Sequence, residues 1–273
     1  MRLRVLITGA GSGLGRAFAE FYAARGDRVA CVDIDGERAE ETRQRLAGDG
    51  HIALQADVGS DASMAALKNA VLSAFDGIDV LINNAGIACG GEIAHSPLAD
   101  WQRSININLM GVVRGVREFV PLLEAQGRGR VINVASFAGL AGAPGLGAYG
   151  VAKAAVVALS ESLRAELHPK GIAVSVLCPS FFKTNLMKSY DGDPNGMLVR
   201  MASHLMEKSD INAADVARFA VTQAERGVFM LLPHKDTRLR WWLKRWLPEV
   251  YFREILKYVE KQQRRAGSGG KTR

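Results

Sequence analysis

Hydrophobic residues fall along this chain in short unbroken runs, separated by longer stretches with helical spacing. Residues 4–8, 28–33, 51–56, 78–82, 130–135 and 172–177 are rich in Val, Ile, Leu and Ala. Their continuity, without polar alternation, predicts strands buried on both faces. Between them, residues 14–24, 37–46, 60–74 and 98–123, and a long stretch from about Ala148, repeat their apolar positions every three or four residues and predict helices. Residues 228–232 read as a last strand. Strands alternating with helices predict an α/β fold whose parallel sheet is covered on both sides. No repeat or linker interrupts it.

The turn after the first strand reads Gly9-Ala-Gly-Ser-Gly-Leu-Gly15. Strand, glycine loop and helix in this order let backbone approach a pyrophosphate and aim helix N–H groups at it. A glycine-rich turn with no ligand is the plainer alternative. The second strand ends on Asp33, where a dinucleotide fold places the carboxylate that accepts bonds from the adenosine ribose. That carboxylate repels a 2′-phosphate, and neither Ile34 nor Ser12 is basic, which favours NAD. Arg16 and Arg38 keep NADP open.

In the long helix, Tyr149 and Lys153 are four residues apart and share a face. An ammonium beside a phenol favours the phenolate, which predicts a lowered tyrosine pKa and a general acid/base. Ser136, leaving a strand end, is placed to hydrogen-bond a carbonyl oxygen over that phenol. A Tyr/Lys pair on a helix surface is also common without any function.

In combination these motifs resemble the short-chain dehydrogenase/reductase family from Arg4 to about Pro233. Thr8-Gly9-x-x-x-Gly13-x-Gly15, Asp57, Asn83-Asn84-Ala85-Gly86, Asn108, Ser136, Tyr149-x-x-x-Lys153, and Pro179 with Thr184 occur in the family's order and rough spacing. The resemblance implies a single Rossmann-like, doubly wound domain with a seven-stranded parallel sheet, over residues 1–234. It implies a catalytic set of Asn108, Ser136, Tyr149 and Lys153. Tyr149 moves a proton, Ser136 holds the carbonyl, Lys153 bonds the ribose, and Asn108 holds a water linking Lys153 to solvent. The implied cofactor cradle is Gly9, Ser12, Gly13, Leu14, Gly15, Asp33, Asp57, Val58, Asn84, Ala85, Gly86, Pro179 and Thr184, together with Tyr149 and Lys153. Where the family usually has Pro-Gly after the sixth strand, this chain has Pro179-Ser180, which puts the local backbone path in question. The family also implies pairing of the 98–123 and 148–167 helices across a two-fold axis into a dimer or tetramer, to which Val112, Val116, Phe119, Val156 and Leu159 are suited, although packing in the core would explain some of them.

The substrate is marked only by its surroundings. No charge lies between Ser136 and Lys153, Leu140 belongs to that apolar loop, and the lid expected over about 180–210 carries Leu186 and Met187 among several methionines. Methionine-rich surfaces adapt to bulky apolar ligands, and ordinary core packing of a helix is the plainer alternative. With Ser136 and Tyr149 completing the contact set, the expected substrate is a hydrophobic secondary alcohol or ketone: long-chain acyl, steroid-like or terpenoid. An NADPH-dependent 3-oxoacyl-type reductase is the alternative. A noncatalytic cofactor sensor is expected to lose Tyr149 or Lys153, and both are present.

Composition narrows the rest. Three cysteines, odd in number and without C-x-x-C spacing, indicate reduced thiols, no zinc site and a cytoplasmic location. The N-terminal apolar run is too short for a signal peptide, and the uncharged stretch 131–152 is too rich in glycine and polar residues to span a membrane. Charge is uneven. From Lys235 onward there are 12 Lys/Arg and 4 Asp/Glu, a net of +8, so the preceding residues, with 23 basic and 24 acidic groups, carry −1. Residues 235–266 are expected to form basic amphipathic helices broken at Pro248, and 267–273 a disordered end. Leu239, Trp242, Leu243, Trp246 and Leu247 repeat at helical spacing, unlike the stacking platform of a single-strand nucleic-acid binder. Such helices either contact an anionic membrane surface or pack on the body.

Overall fold

The computed structural model describes residues 2–182, Tyr190 and 197–268, the side chains at 197–201 and 262–268 excepted. The described chain alternates strand and helix: β1 (Arg4–Thr8), α1 (Gly13–Ala24), β2 (Arg28–Asp33), α2 (Gly36–Arg45), β3 (Ile52–Gln55), α3 (Asp61–Phe75) and β4 (Val80–Asn83). There follow α4 (Leu98–Ile105), a π-helical turn (Asn106–Met110), α5 (Gly111–Gln126), β5 (Gly129–Val134), the short α6 (Ala138–Ala141), α7 (Gly147–Leu167) and β6 (Ile172–Leu177). Then come α8 (Met197–Glu207), α9 (Ala213–Glu225), β7 (Met230–Leu231), α10 (Lys235–Trp246) and α11 (Pro248–Ser268).

All seven strands form one parallel sheet in the order β3-β2-β1-β4-β5-β6-β7. Successive side chains of a strand point to opposite faces. Val5 and Ile7 accordingly join Phe18 and Tyr22 of α1 and Val216 and Val221 of α9 on one side. Leu6 joins Met64 and Val71 of α3, Phe119 and Leu123 of α5 and Leu163 of α7 on the other. This is why the strands read as unbroken apolar runs. Each fully buried Leu, Ile or Phe contributes about 1.5–3 kcal/mol.

Connections run both ways from the centre, since β1 neighbours both β2 and β4. The loops leaving the carboxyl ends of β1 and β4 therefore diverge and leave a crevice between them. The opposite end of the sheet is tied by Arg4, whose Nε lies 2.9 Å from Asp79 Oδ2 and whose guanidinium also meets Gln126. Burial raises the Asp79 pKa, but the hydrogen bonds from Arg4 outweigh it and hold the carboxyl below its usual value.

The strands at 4–8, 28–33 and 172–177 match expectation, and the others shift by one or two residues. The predicted continuous helix over 98–123 is divided by the π turn, and α6 and α9 are additions to the sequence reading. Compact packing divides the chain into residues 1–233 and 234–273. Within the second unit α10 and α11 meet at Pro248. Of the C-terminal end expected to be disordered, Gly267 and Ser268 close α11 and 269–273 lie outside the described residues.

Candidate active site

The carboxyl ends of β1 and β4 are held together by Thr8 and Asn84. Thr8 Oγ1 accepts the N–H groups of Asn84 and Ala85 at 3.0 and 3.1 Å. Asn84 Nδ2 donates back to the carbonyls of Thr8 and Gly9 at 2.9 and 3.2 Å. The glycines follow from this crowding. A Cβ at Gly15 would stand 2.0 Å from the Gly9 carbonyl oxygen, and Gly9 itself has φ +66° with Ala85 backbone 2.8 Å from where its Cβ would be. Only glycine permits so close an approach in a left-handed turn.

Ser12 precedes α1 without capping it through its side chain, and the first turn holds no acid. By contrast α2, α3 and α9 are capped by Asp35, Ser60 and Asn212. The amides beginning at Gly13 and Leu14 are thus directed at the crevice, as a pyrophosphate requires. Asp33 lies at the edge of this loop, accepting from Gly11 N at 2.9 Å and Asp35 N at 3.1 Å. Beyond it, an open depression is lined by Ile34, Gly36, Glu37 and Gln55. Asp57 Oδ1 accepts from Gly59 N at 2.7 Å, and the buried Val58 packs inward while its carbonyl accepts from Arg114 at 3.1 Å. Gly86 lies where a Cβ would meet both Asn108 Oδ1 and Lys153 Nζ, at 2.7 and 3.4 Å. A dinucleotide fits this chain: close-packed glycines, free-facing helix amides and a carboxylate occur in sequence along one crevice.

The other wall is built from β5, β6 and α7. Backbone pairing of β5 with β6 continues past the strands, with Ala135 N donating to Leu177 O at 2.8 Å and Phe137 N to Pro179 O at 2.9 Å. This fixes Ser136, whose Oγ accepts from Ala138 N at 3.1 Å and starts α6. α6 lies so close on α7 that a Cβ at Gly139 would be 2.6 Å from Ala154 N. Ser136 is thereby set over Tyr149, whose phenol it hydrogen-bonds. Ser180 resolves the missing Pro-Gly: the one non-glycine residue with positive φ among the described residues is Asp76, so the backbone at 180 makes no demand for glycine.

Lys153 is buried, with Nζ 5.9 Å from the Tyr149 ring centroid and donating to Val134 O at 2.9 Å. The expected lowering of the tyrosine pKa by the ammonium is corrected here. Burial raises the phenol above 10 and outweighs the Ser136 hydrogen bond that lowers it. Burial instead brings Lys153 down from 10.5 to about 8. Three hydrogen bonds hold Asn108. It sits in the π turn, donating to Ile87 O and Ser104 Oγ at 3.2 Å each and accepting from Ile87 N at 3.0 Å. One amide hydrogen clamps the loop after Gly86 and the other meets Ser104 of α4, which leaves the second lone pair of Oδ1 to hold a water.

Two neighbours carried no sequence signal. Cys178 lies beneath the pair, its thiol pushed up to about 12 by burial and touched by the Ser136 backbone N–H, so it stays neutral. Trp101 of α4 packs with Cys89, Ala138, Ala148 and Tyr149 into an apolar wall. Gly91 N donates to Gly145 O at 2.8 Å, joining the loop after β4 to the turn before α7. Leu140 lies in α6, half-buried. Thr184, Leu186 and Met187 lie outside the described residues. Among the described residues no cluster of His, Cys, Asp or Glu suits a metal ion.

The family described as short chain dehydrogenase matches residues 4–195. The 2-(R)-hydroxypropyl-CoM dehydrogenase of Xanthobacter autotrophicus is 34% identical over 218 residues, 78% of this chain and 87% of that protein. A 3-oxoacyl-[acyl-carrier-protein] reductase of Synechocystis is 33% identical, over 73% of this chain and 82% of its own. A short chain dehydrogenase/reductase from Burkholderia phymatum, solved in complex with NAD, superposes with a TM-score of 0.85 at 33% identity, covering 91% of this chain and 95% of that one. With its seven-stranded parallel sheet and the Ser136, Tyr149 and Lys153 constellation at the crevice, the chain belongs to the short-chain dehydrogenase/reductase family of nicotinamide-dependent oxidoreductases.

Proposed function

We propose that this protein interconverts a hydrophobic secondary alcohol and its ketone, using NAD, in the cytoplasm. The observation that carries the reading is Tyr149, buried between the Ser136 hydroxyl and an apolar wall that contains Trp101, with Lys153 behind it. Bound nicotinamide supplies or accepts the hydride. In oxidation Tyr149 takes the hydroxyl proton as its own phenolic proton passes toward the neutral amine of Lys153, and the Ser136 hydroxyl donates to the oxygen as it becomes a carbonyl. Asn108 is a positioning residue, acting through the Ile87 loop.

NAD is favoured because the Asp33 carboxylate, fixed by Gly11 and Asp35 amides, stands where a 2′-phosphate would need room and positive charge. A second reading, an NADPH-dependent 3-oxoacyl-type reductase, is supported by Arg38, whose guanidinium lies 3.7 Å from Asp33 Oδ1 and could turn to a phosphate. The similarity to a 3-oxoacyl reductase points the same way. We assign homo-oligomeric assembly through the outer face of α7.

The test is a screen of apolar secondary alcohols and ketones, including 3-oxoacyl thioesters, followed by nicotinamide absorbance with each cofactor separately. The expected result is turnover of an apolar alcohol or ketone with NAD favoured at least about tenfold in kcat/KM, about 1.4 kcal/mol. Equal or better efficiency with NADP would replace the first reading with the second. Inactivity toward every apolar substrate, with activity on small charged ones, would contradict the substrate class.

A further inference from the structure

Beyond the seventh strand the composition changes: three of the protein's four tryptophans fall in α10. We propose that α10 and α11 form a docking device for a bilayer surface bearing anionic headgroups.

Leu239, Trp242 and Trp246 follow one another at spacings of three and four, so they form a single stripe along α10. All three are exposed, at 67%, 52% and 64%, as is Leu256 of α11 at 60%. Side chains of this size gain most from leaving water, and a row of them facing solvent marks a contact surface. Tryptophan in particular suits the boundary between headgroups and acyl chains, where its ring is apolar and its N–H stays wet.

The charges fix which surface. Arg238 and Arg245 border the stripe on one side, and Arg240 and Lys244 on the other. In α11, Arg253, Lys257 and Lys261 continue the basic character. Asp236 pairs with Arg240 at 3.9 Å and Glu254 with Lys257 at 2.8 Å, yet basic residues still far outnumber acidic ones. From Lys235 onward the net charge is +8, while the remainder of the chain carries −1. The complementary partner is thus a sheet of negative charge with a greasy layer just beneath it.

The two helices are joined in a way that keeps the stripe together. Pro248 opens α11 where its missing N–H costs nothing, and Leu247 and Tyr251 still donate to Leu243 and Leu247 at 2.8 and 3.1 Å. Lys244 Nζ lies 5.7 Å over the Phe252 ring, linking the helices across the bend. Among the described residues no helix is long and apolar enough to cross a membrane. The device lies on the surface.

The experiment is co-sedimentation of the full chain with phosphatidylcholine vesicles, with and without phosphatidylglycerol, at low and high salt. The wild type is expected to pellet with the anionic vesicles at low salt and to be released at high salt. The variant Trp242→Ala/Trp246→Ala is expected to stay in the supernatant with an unchanged Tm. Arg240→Gln/Arg245→Gln is expected to bind about thirtyfold more weakly, on the scale of roughly 1 kcal/mol for each basic residue near such a surface. Wild type remaining in the supernatant with anionic vesicles at low salt would overturn the proposal. So would tryptophan variants that bind like wild type, or that lose several degrees of Tm, since the stripe would then be packed within the protein. Equal or tighter binding to single-stranded DNA at the same salt would reassign the tail to nucleic acid. None of these readouts depends on turnover.

Discussion

Tyr149 and Lys153 are both buried, and burial acts on them in opposite senses, because it penalises the phenolate and the ammonium alike. The phenol is pushed up and the lysine down to about 8. Lys153 Nζ stands 5.9 Å from the Tyr149 ring centroid, and the first proton the two give up is the lysine's, near that value. Oxidation needs a pair able to take a proton, and reduction needs one able to give it. The rate of alcohol oxidation at saturating cofactor is therefore expected to rise about tenfold per pH unit below about pH 8 and level off above it, with reduction showing the mirror image. A profile flat from pH 6 to 9 in both directions, with hydride transfer shown to limit the rate, would contradict this pairing. The pair was legible in the sequence because four-residue spacing on a helix is a local property. The direction of the tyrosine shift was not, since it depends on how deeply the surrounding loops bury the phenol. Cys178 and Trp101 were invisible for the same reason: each arrives from a distant element with no motif around it.

At the scale of elements, the apolar runs identified the strands because a parallel sheet is buried on both faces. The π turn at Asn106–Met110 escaped, since hydrophobic spacing continues through it; within it Asn108 reaches across to the loop at Ile87. α6 has four residues, too few to show a period. Helix faces also correct the expected oligomer contacts. Val112, Phe119 and Val156 are buried in this chain's own core and are unavailable to a partner. Val116 and Leu159 are only half-buried, and α7 presents Val151, Ala154 and Ala158 to solvent at spacings of three and four. This small, smooth stripe suits close packing against its own copy across a two-fold axis. Light scattering at micromolar concentration is expected to give at least a dimer, and Val151→Glu to shift it toward monomer. A monomeric wild type would contradict the assignment.

Across the whole molecule, the family match ends at 195 and the described catalytic machinery lies within the first compact unit. What the sequence could not supply there is substrate identity, because specificity is a matter of cavity shape, and motifs report only the chemistry shared by every member. The tail was legible as basic and amphipathic, and its structure adds which apolar side chains face solvent. The central claim concerns Tyr149, and its most direct measurement compares Tyr149→Phe with wild type for turnover and for nicotinamide cofactor binding in the same preparation. The account predicts that the variant binds cofactor with unchanged affinity and loses turnover by at least about a thousandfold, since only the proton-transfer group is removed. Turnover near the wild-type rate with cofactor bound would contradict it.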